Sequence, residues 1–151
     1  MENTEILAIY GKDYKDMTKK LLEEACLASR IPDKECRIGI KPNLVSPSDP
    51  SRGATTHPEI VAGIIEYLQE RGFHDLVMLE GSWVGDKTED TARLCGYYDL
   101  SEKYGVDFLD MQKDSYETYD CEGMELKICD EAKKLDFLIN VPVMKGHCQT
   151  K

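Results

Sequence analysis

Residues 56–79, with the sequence THPEIVAGIIEYLQERGFHDLVML, predict a helix that leads into a buried strand. Pro58 suits the first helical turn because its missing N–H would be unpaired there anyway, and Gly72 is typical of a helix end. Apolar side chains recur between them at helical spacing and predict one buried stripe: Ile60, Val61, Ile64, Ile65 and Leu68. The apolar run at 76–79 then predicts a short strand.

The same alternation of strand and helix extends along the chain in both directions. Apolar runs predict further strands at residues 6–10, 37–41, 106–109 and 137–141, and an antiparallel pair within 116–128. Helices are predicted at 17–28 and 87–95, and another helical turn at 99–104. This order favours an α/β fold with a mainly parallel sheet flanked by helices, which is a Rossmann-like architecture.

We expect a single α/β domain over residues 1–151, and we expect it to be incomplete. A parallel sheet is usually covered by helices on both faces, and a parallel crossover takes about a dozen residues or more. The ten residues after Val141 are too few for a crossover helix and a further strand. The sequence therefore predicts the N-terminal part of a longer domain.

The composition limits the classes of partner. The formal net charge is −10, and an acidic chain lacks the bulk positive charge that binds nucleic-acid phosphates or anionic membranes. No apolar run reaches the roughly 18 residues that a membrane span requires, and residues 1–5 lack the basic start of a signal peptide. We therefore predict a cytoplasmic protein that binds neither nucleic acid nor membrane.

The cysteines give no local cofactor motif. There are six: Cys26, Cys36, Cys95, Cys121, Cys129 and Cys148. None forms a C-x-x-C pair, so neither a zinc knuckle nor a run of iron–sulfur ligands is predicted, and without a secretory signal we expect reduced thiols. The chain also lacks a P-loop and a dinucleotide-binding fingerprint.

Polar residues follow three of the predicted strands. They are Lys41-Pro42-Asn43, Glu80-Gly81-Ser82 and Lys145-Gly146-His147. Open parallel sheets bind ligands at the carboxyl ends of their strands, and the helix that begins near Pro58 would offer free N–H groups to an anion at the same edge. The predicted ligand-binding residues are Lys41, Asn43, Thr56, His57, Lys145 and His147, with no metal ligand assigned.

Each of these residues also has an ordinary structural interpretation. Lys41 and His147 could be solvated surface residues, Asn43 is a common turn residue, and His57 could only cap its helix. Glu80 could be a base, a metal ligand or a loop cap. The candidates for catalytic residues are His57, Glu80 and His147.

Taken in order, these motifs resemble the family catalogued as domain of unknown function 362. The matching segments are residues 40–45 (IKPNLV), 56–59 (THPE), 80–81 (EG), 136–142 (DFLINVP) and 145–147 (KGH). The resemblance carries the family's pattern to Lys41, Pro42, Asn43, His57, Pro58, Glu80, Gly81, Lys145 and His147. The family's usual ending is Lys-Thr-His, and Gly146 stands here in place of the threonine, so a hydroxyl contact is not expected at that position.

The resemblance implies a largely uncharacterised protein associated with iron–sulfur chemistry, because many members carry a separate ferredoxin-like segment. That segment and its cysteines are absent from this sequence, so the resemblance implies no four-iron cluster on this chain alone, although full-length relatives could carry a [4Fe–4S] cluster.

Two functions fit these observations. The chain could be an enzyme or part of one, with Lys41, Lys145 and His147 binding an anionic substrate or a metal-bearing cofactor and His57 or Glu80 moving a proton. It could instead be a non-catalytic module that docks an iron–sulfur or redox partner. A scaffold domain whose loops bind nothing is the third alternative.

Overall fold

The computed structural model describes residues 5–146. Its strands are β1 Ile38–Pro42, β2 Leu76–Glu80, β3 Asp107–Asp110, β4 Tyr116–Cys121, β5 Met124–Cys129 and β6 Phe137–Val141. Its α-helices are α1 Tyr14–Glu24, α2 Pro58–Gln69, α3 Thr88–Leu94, α4 Tyr97–Tyr104 and α5 Asp130–Lys133. Short 3-10 helices cover Leu27–Arg30 and Pro50–Arg52.

Four of the strands form one parallel sheet, in the order β3-β2-β1-β6. Ile40 of β1 lies beside Met78 of β2 on one side and Ile139 of β6 on the other. Helices flank this sheet, so the predicted α/β architecture with a mainly parallel sheet is confirmed. The central position of β1 brings the carboxyl ends of β2 and β6 to either side of Lys41 and Pro42.

The core lies between the sheet and α2. The predicted stripe of α2 is confirmed at Val61, Ile64, Ile65 and Leu68, which are buried with Ile40, whereas Ile60 is only partly buried against this core. β2 is buried along its whole length. Position 39 is closely packed on the sheet, because a Cβ there would lie 2.4 Å from Cδ1 of Leu135 and 2.9 Å from Cδ2 of Leu79. Only glycine fits at that point without displacing its neighbours.

Helix α1 lies along α2. The Lys15 ammonium is 3.0 Å from a Glu66 carboxylate oxygen, and Lys19 pairs with both Glu66 and Glu70. Gly63 permits the close approach, because a Cβ at that position would lie 2.8 Å from the Lys15 carbonyl oxygen. The two helices therefore run in the same direction and pack backbone to backbone at Gly63.

The prediction of a buried strand at residues 6–10 is wrong. The structure gives these residues no regular secondary structure, and Ile6 is 92% exposed. An apolar run becomes a strand only when a sheet edge accepts its backbone hydrogen bonds. Among the described residues, neither edge strand of the sheet, β3 or β6, pairs with this run.

The predicted antiparallel pair is confirmed as a β4–β5 hairpin. Its turn is formed by Glu122 and Gly123, with φ values of +53° and +85°, and positive φ at both central residues is the geometry of tight hairpin turns. The hairpin forms its own two-stranded sheet, separate from the parallel one.

Among residues 5–146, no helix has both the length and the apolar character that crossing a membrane would demand.

Candidate functional site

Lys41 and Glu80 form an ion pair at the carboxyl ends of β1 and β2. The Glu80 side chain is only 5% exposed, whereas that of Lys41 is 35% exposed. The Lys41 ammonium contacts Oε2 of Glu80, and this oxygen is buried. The pair therefore has a buried acidic side and a basic side that solvent reaches.

Burial raises the pKa of Glu80 above its ordinary value of 4.5. A carboxylate removed from water loses hydration that a neutral carboxyl group does not need. Three groups oppose this shift: the Lys41 ammonium, the Leu44 backbone N–H and, through space, the Lys145 ammonium. Glu80 is therefore a carboxyl group whose charge depends on the cations beside it.

Lys145 reaches the same edge from the segment after β6. Its ammonium donates a hydrogen bond to the carbonyl oxygen of Ala54, in the connection between β1 and α2. Its positive charge acts on Glu80. We call Lys41, Glu80 and Lys145 the strand-end site, because the structure brings all three to one edge of the sheet.

Thr56 links the residue after β1 to the end of β6 at this edge of the sheet. Its hydroxyl accepts a hydrogen bond from the Asn43 N–H at 2.9 Å and donates one to the carbonyl oxygen of Val141 at 2.8 Å. The Thr56 N–H also donates to the Asn43 carbonyl at 2.9 Å. The hydroxyl proton of Thr56 is thus committed to holding the ends of β1 and β6 in register. Asn43 is half-buried directly after Lys41 and Pro42.

The His57 side chain contacts residues of helices α1 and α2. It occupies the N-cap position of α2 without a side-chain capping hydrogen bond. Its ring stacks on Tyr14 with centroids 4.3 Å apart, and its Nδ1 lies 3.7 Å from a Glu59 carboxylate oxygen. The sequence placed His57 beside Thr56 in one ligand set, but the contacts of its ring are with α1 and α2. His147 lies outside the described residues.

A second layer of polar contacts holds the loop after Glu80. The Ser82 hydroxyl donates to the Leu44 carbonyl at 2.5 Å, and the Ser82 N–H donates to the Thr88 hydroxyl at 3.0 Å. The Gln112 side chain accepts from the Thr88 N–H and donates to the Ser82 carbonyl, each at 3.1 Å. Thr88 and Gln112 were not among the predicted site residues, since neither belongs to a motif and their contacts depend on the tertiary fold.

Three clefts lie away from the Lys41–Glu80 pair. The largest, about 760 Å³, lies where α1, α2 and α4 begin, and its lining includes Tyr14, Pro58 and Gly96. A smaller one of about 270 Å³ includes His57 and Cys95, and a third of about 280 Å³ lies near Asp110. Neither Lys41 nor Lys145 lines any of these three clefts.

The described residues do not fit an iron–sulfur cluster or a metal centre. Across residues 5–146, no group of three or more His, Cys, Asp or Glu side chains is arranged to hold an ion. Cys95, for example, is buried with its thiol directed at the Ser48 carbonyl and the Thr55 hydroxyl. This thiol serves the fold of the loop, because burial also raises its pKa and disfavours the thiolate that would bind a metal.

Comparison with known proteins places these residues in a family. The model of the domain of unknown function DUF362 matches residues 38–151. The chain is also similar to the thylakoid-associated protein sll1697 of Synechocystis sp., with 28% identity over 113 residues. That alignment covers 75% of this chain but 35% of the relative, so the chain spans about a third of the relative's length. No solved structure matches. The match over residues 38–151, which contains β1, β2, β6 and the whole strand-end site, shows that this chain belongs to the DUF362 family.

Proposed function

We propose that the strand-end site binds a small anionic molecule, with the ammonium groups of Lys41 and Lys145 as its charge partners. The observation that carries the proposal is their convergence: lysines 104 positions apart in sequence both act on the buried carboxylate of Glu80. The two ammonium groups and the single carboxylate of the strand-end site together carry a net charge of +1.

The negative charge of the rest of the chain favours anion binding at this edge over other parts of the surface. In a protein with a formal net charge of −10, most of the surface repels anions, so a small cationic region concentrates them. Lys145 is bound to a neutral carbonyl oxygen, and a charged acceptor forms a stronger hydrogen bond with an ammonium than a neutral one does. We therefore propose that a bound anion replaces the Ala54 carbonyl oxygen as the acceptor of the Lys145 hydrogen bond.

The neighbouring residues define the proposed ligand contacts. Asn43 follows the Lys41-Pro42 end of β1 and supplies an amide at the same edge. His147 stands two positions after Lys145 in the sequence, and we propose that it completes the site. In a catalytic version of this function, we propose that Glu80 transfers a proton, because its buried carboxyl group lies beside the Lys41 ammonium.

The test is to titrate the protein with sulfate and with phosphate by calorimetry. Lys41→Ala and Lys145→Ala should each weaken binding by about tenfold or more, as expected for the loss of a charged hydrogen bond. Lys127→Ala is the matched control, because Lys127 lies on the hairpin beside Glu125 and away from the strand-end site. Equal affinities in all four proteins would overturn the proposal.

Docking of an iron–sulfur or redox partner is a second candidate, favoured by one observation. Apolar side chains share one face of the β4–β5 hairpin and are 39–63% exposed: Tyr119, Met124, Leu126 and Ile128. An exposed apolar patch is typical of an interaction surface. Titration with a reduced ferredoxin tests this alternative, and Leu126→Glu should abolish any binding that uses the hairpin. Binding that survives this substitution would exclude the hairpin as the docking surface.

A further inference from the structure

The buried oxygen of Glu80 has a consequence for how the strand-end site binds an anion. We propose that Glu80 takes up one proton from solvent when the anion binds, so that the occupied site contains a neutral carboxyl group. This inference rests on the proposed anion-binding function. It adds a specific chemical role for Glu80, that of a proton acceptor coupled to binding.

An incoming anion competes with Glu80 for the Lys41 ammonium. The Lys41 side chain is 35% exposed and that of Glu80 is 5% exposed, so an anion arriving from solvent meets the ammonium first. An ammonium has three N–H donors, so Lys41 can direct donors at the ligand that its contact with Glu80 does not use. As it does so, Glu80 loses the cation that stabilises its charge.

The bound anion and an ionised Glu80 would also repel each other. Two negative charges in a poorly hydrated site interact strongly, and a carboxylate beside another anion becomes a weaker acid. Glu80 already resists ionisation because of its burial. Protonation removes both the repulsion and the cost of a buried charge, and it turns an acceptor into a hydrogen-bond donor for the anion.

The other charged and titratable groups near Glu80 are engaged elsewhere. Asp110 is its register partner on β3, and it lies 3.8 Å from the Lys113 ammonium. Tyr97 of α4 donates its hydroxyl proton to the Thr56 carbonyl at 3.0 Å, and burial raises the pKa of this phenol. Lys145, whose charge also acts on Glu80, is a proposed ligand contact. Of these groups, Glu80 is the one whose counter-ion the anion removes.

The proton balance is simple. One O–H bond forms on Glu80, no other covalent bond changes, and the proton comes from water or buffer. Binding must then weaken as pH rises, by about tenfold per pH unit between the pKa of Glu80 in the free site and its higher pKa in the occupied site. Below the first of these values Glu80 is already protonated, and the dependence disappears.

Sulfate is the probe, because it carries no titratable proton over this range. Calorimetry in buffers of different ionisation enthalpy should show uptake of about one proton per sulfate bound. Glu80→Gln should bind sulfate with a pH-independent Kd and without proton uptake. Asp110→Asn is the matched control and should retain both the pH dependence and the uptake seen in the unmodified protein.

The outcomes separate this inference from the function on which it rests. Sulfate binding that depends on Lys41 and Lys145, yet takes up no proton and does not vary with pH in the unmodified protein, overturns the role of Glu80 alone. Absence of sulfate binding overturns both. His147 is the other proposed contact that can take up a proton, so His147→Ala must retain the uptake if Glu80 is its source. With that variant, the assignment to Glu80 does not depend on whether Glu80→Gln folds.

Discussion

The central strands and the β4–β5 hairpin contain similar side chains in opposite surroundings. β2 is buried at every position, whereas every residue of β4 is exposed. Tyrosine, isoleucine, leucine and methionine occur in the hairpin as they do in the core. The difference lies in the neighbours, because β2 has a strand on each side while the hairpin is a sheet of two strands. Burial, rather than strand propensity, therefore decides which strands contribute most to the stability of this protein.

The sharpest test of that comparison truncates one isoleucine in each region. Ile40→Ala removes a fully buried side chain and should lower the free energy of unfolding by about 2–5 kcal/mol. Ile128→Ala changes a side chain that is 39% exposed and should cost less than about 1 kcal/mol. Denaturant unfolding of both variants measures the difference, and similar losses would contradict the assignment of the core.

A second comparison concerns threonine hydroxyls. Thr56→Val removes the group that joins Asn43 to Val141 and leaves two backbone groups without their partner. We expect a loss of about 1–3 kcal/mol in unfolding free energy. Thr118→Val on the exposed face of β4 is the control, with an expected change within about 0.5 kcal/mol. If Thr56→Val were as stable as the control, the hydroxyl would not hold the strand ends together.

The smallest expected effect is a difference in the sign of pH dependence between Glu80 and Glu66. Burial raises the pKa of Glu80 in the folded state, so its contribution to stability is complete below pH 4.5 and is lost as pH rises through the raised value. The hydrogen bond from the Tyr104 hydroxyl lowers the pKa of Glu66, so its contribution is present above pH 4.5 and is lost as pH falls through the lowered value.

Substitution by glutamine should reveal the two signs. Relative to the unmodified protein, Glu80→Gln should gain stability as pH rises above 4.5. Glu66→Gln should be less stable than the unmodified protein above pH 4.5, and this difference should disappear as pH falls below 4.5. Denaturant unfolding across this range provides the measurement. The effect at Glu80 is small because Lys41 and Lys145 offset much of the burial. If the unfolding free energies of the two variants changed with pH in the same direction relative to the unmodified protein, the opposite pKa shifts would be refuted.

Local signals in the sequence predicted the fold well where one segment contained all the information. Pro58, Gly72 and the apolar stripe between them determine α2 without help from the rest of the chain. The run at residues 6–10 misled because a strand also needs a partner that pairs with it, and no strand of the described sheet does so. The hydrophobic pattern indicates which side chains are suited to burial, but not whether another strand pairs with the backbone of that segment.

The strand-end residues were predictable only as a set. Open parallel sheets bind ligands at the carboxyl ends of their strands, and this rule predicted that Lys41, Glu80 and Lys145 share one edge. The structure brings those three residues together. The contact between Lys41 and Glu80 required the strand order, which no local pattern encodes. The orientation of His57 depends on Tyr14 in α1, a packing contact between segments far apart in the sequence.

The Thr56–Val141 hydrogen bond spans 85 residues, and this separation affects how the protein is made. As the chain leaves the ribosome, β1, β2 and the helix between them can associate while residues 137–141 are still unsynthesised. β6 arrives last of the four parallel strands, and contacts over such long separations form slowly. The open side of β1 is exposed during that interval. The nascent protein is then most vulnerable to mispairing along β1, the strand that ends at the proposed site.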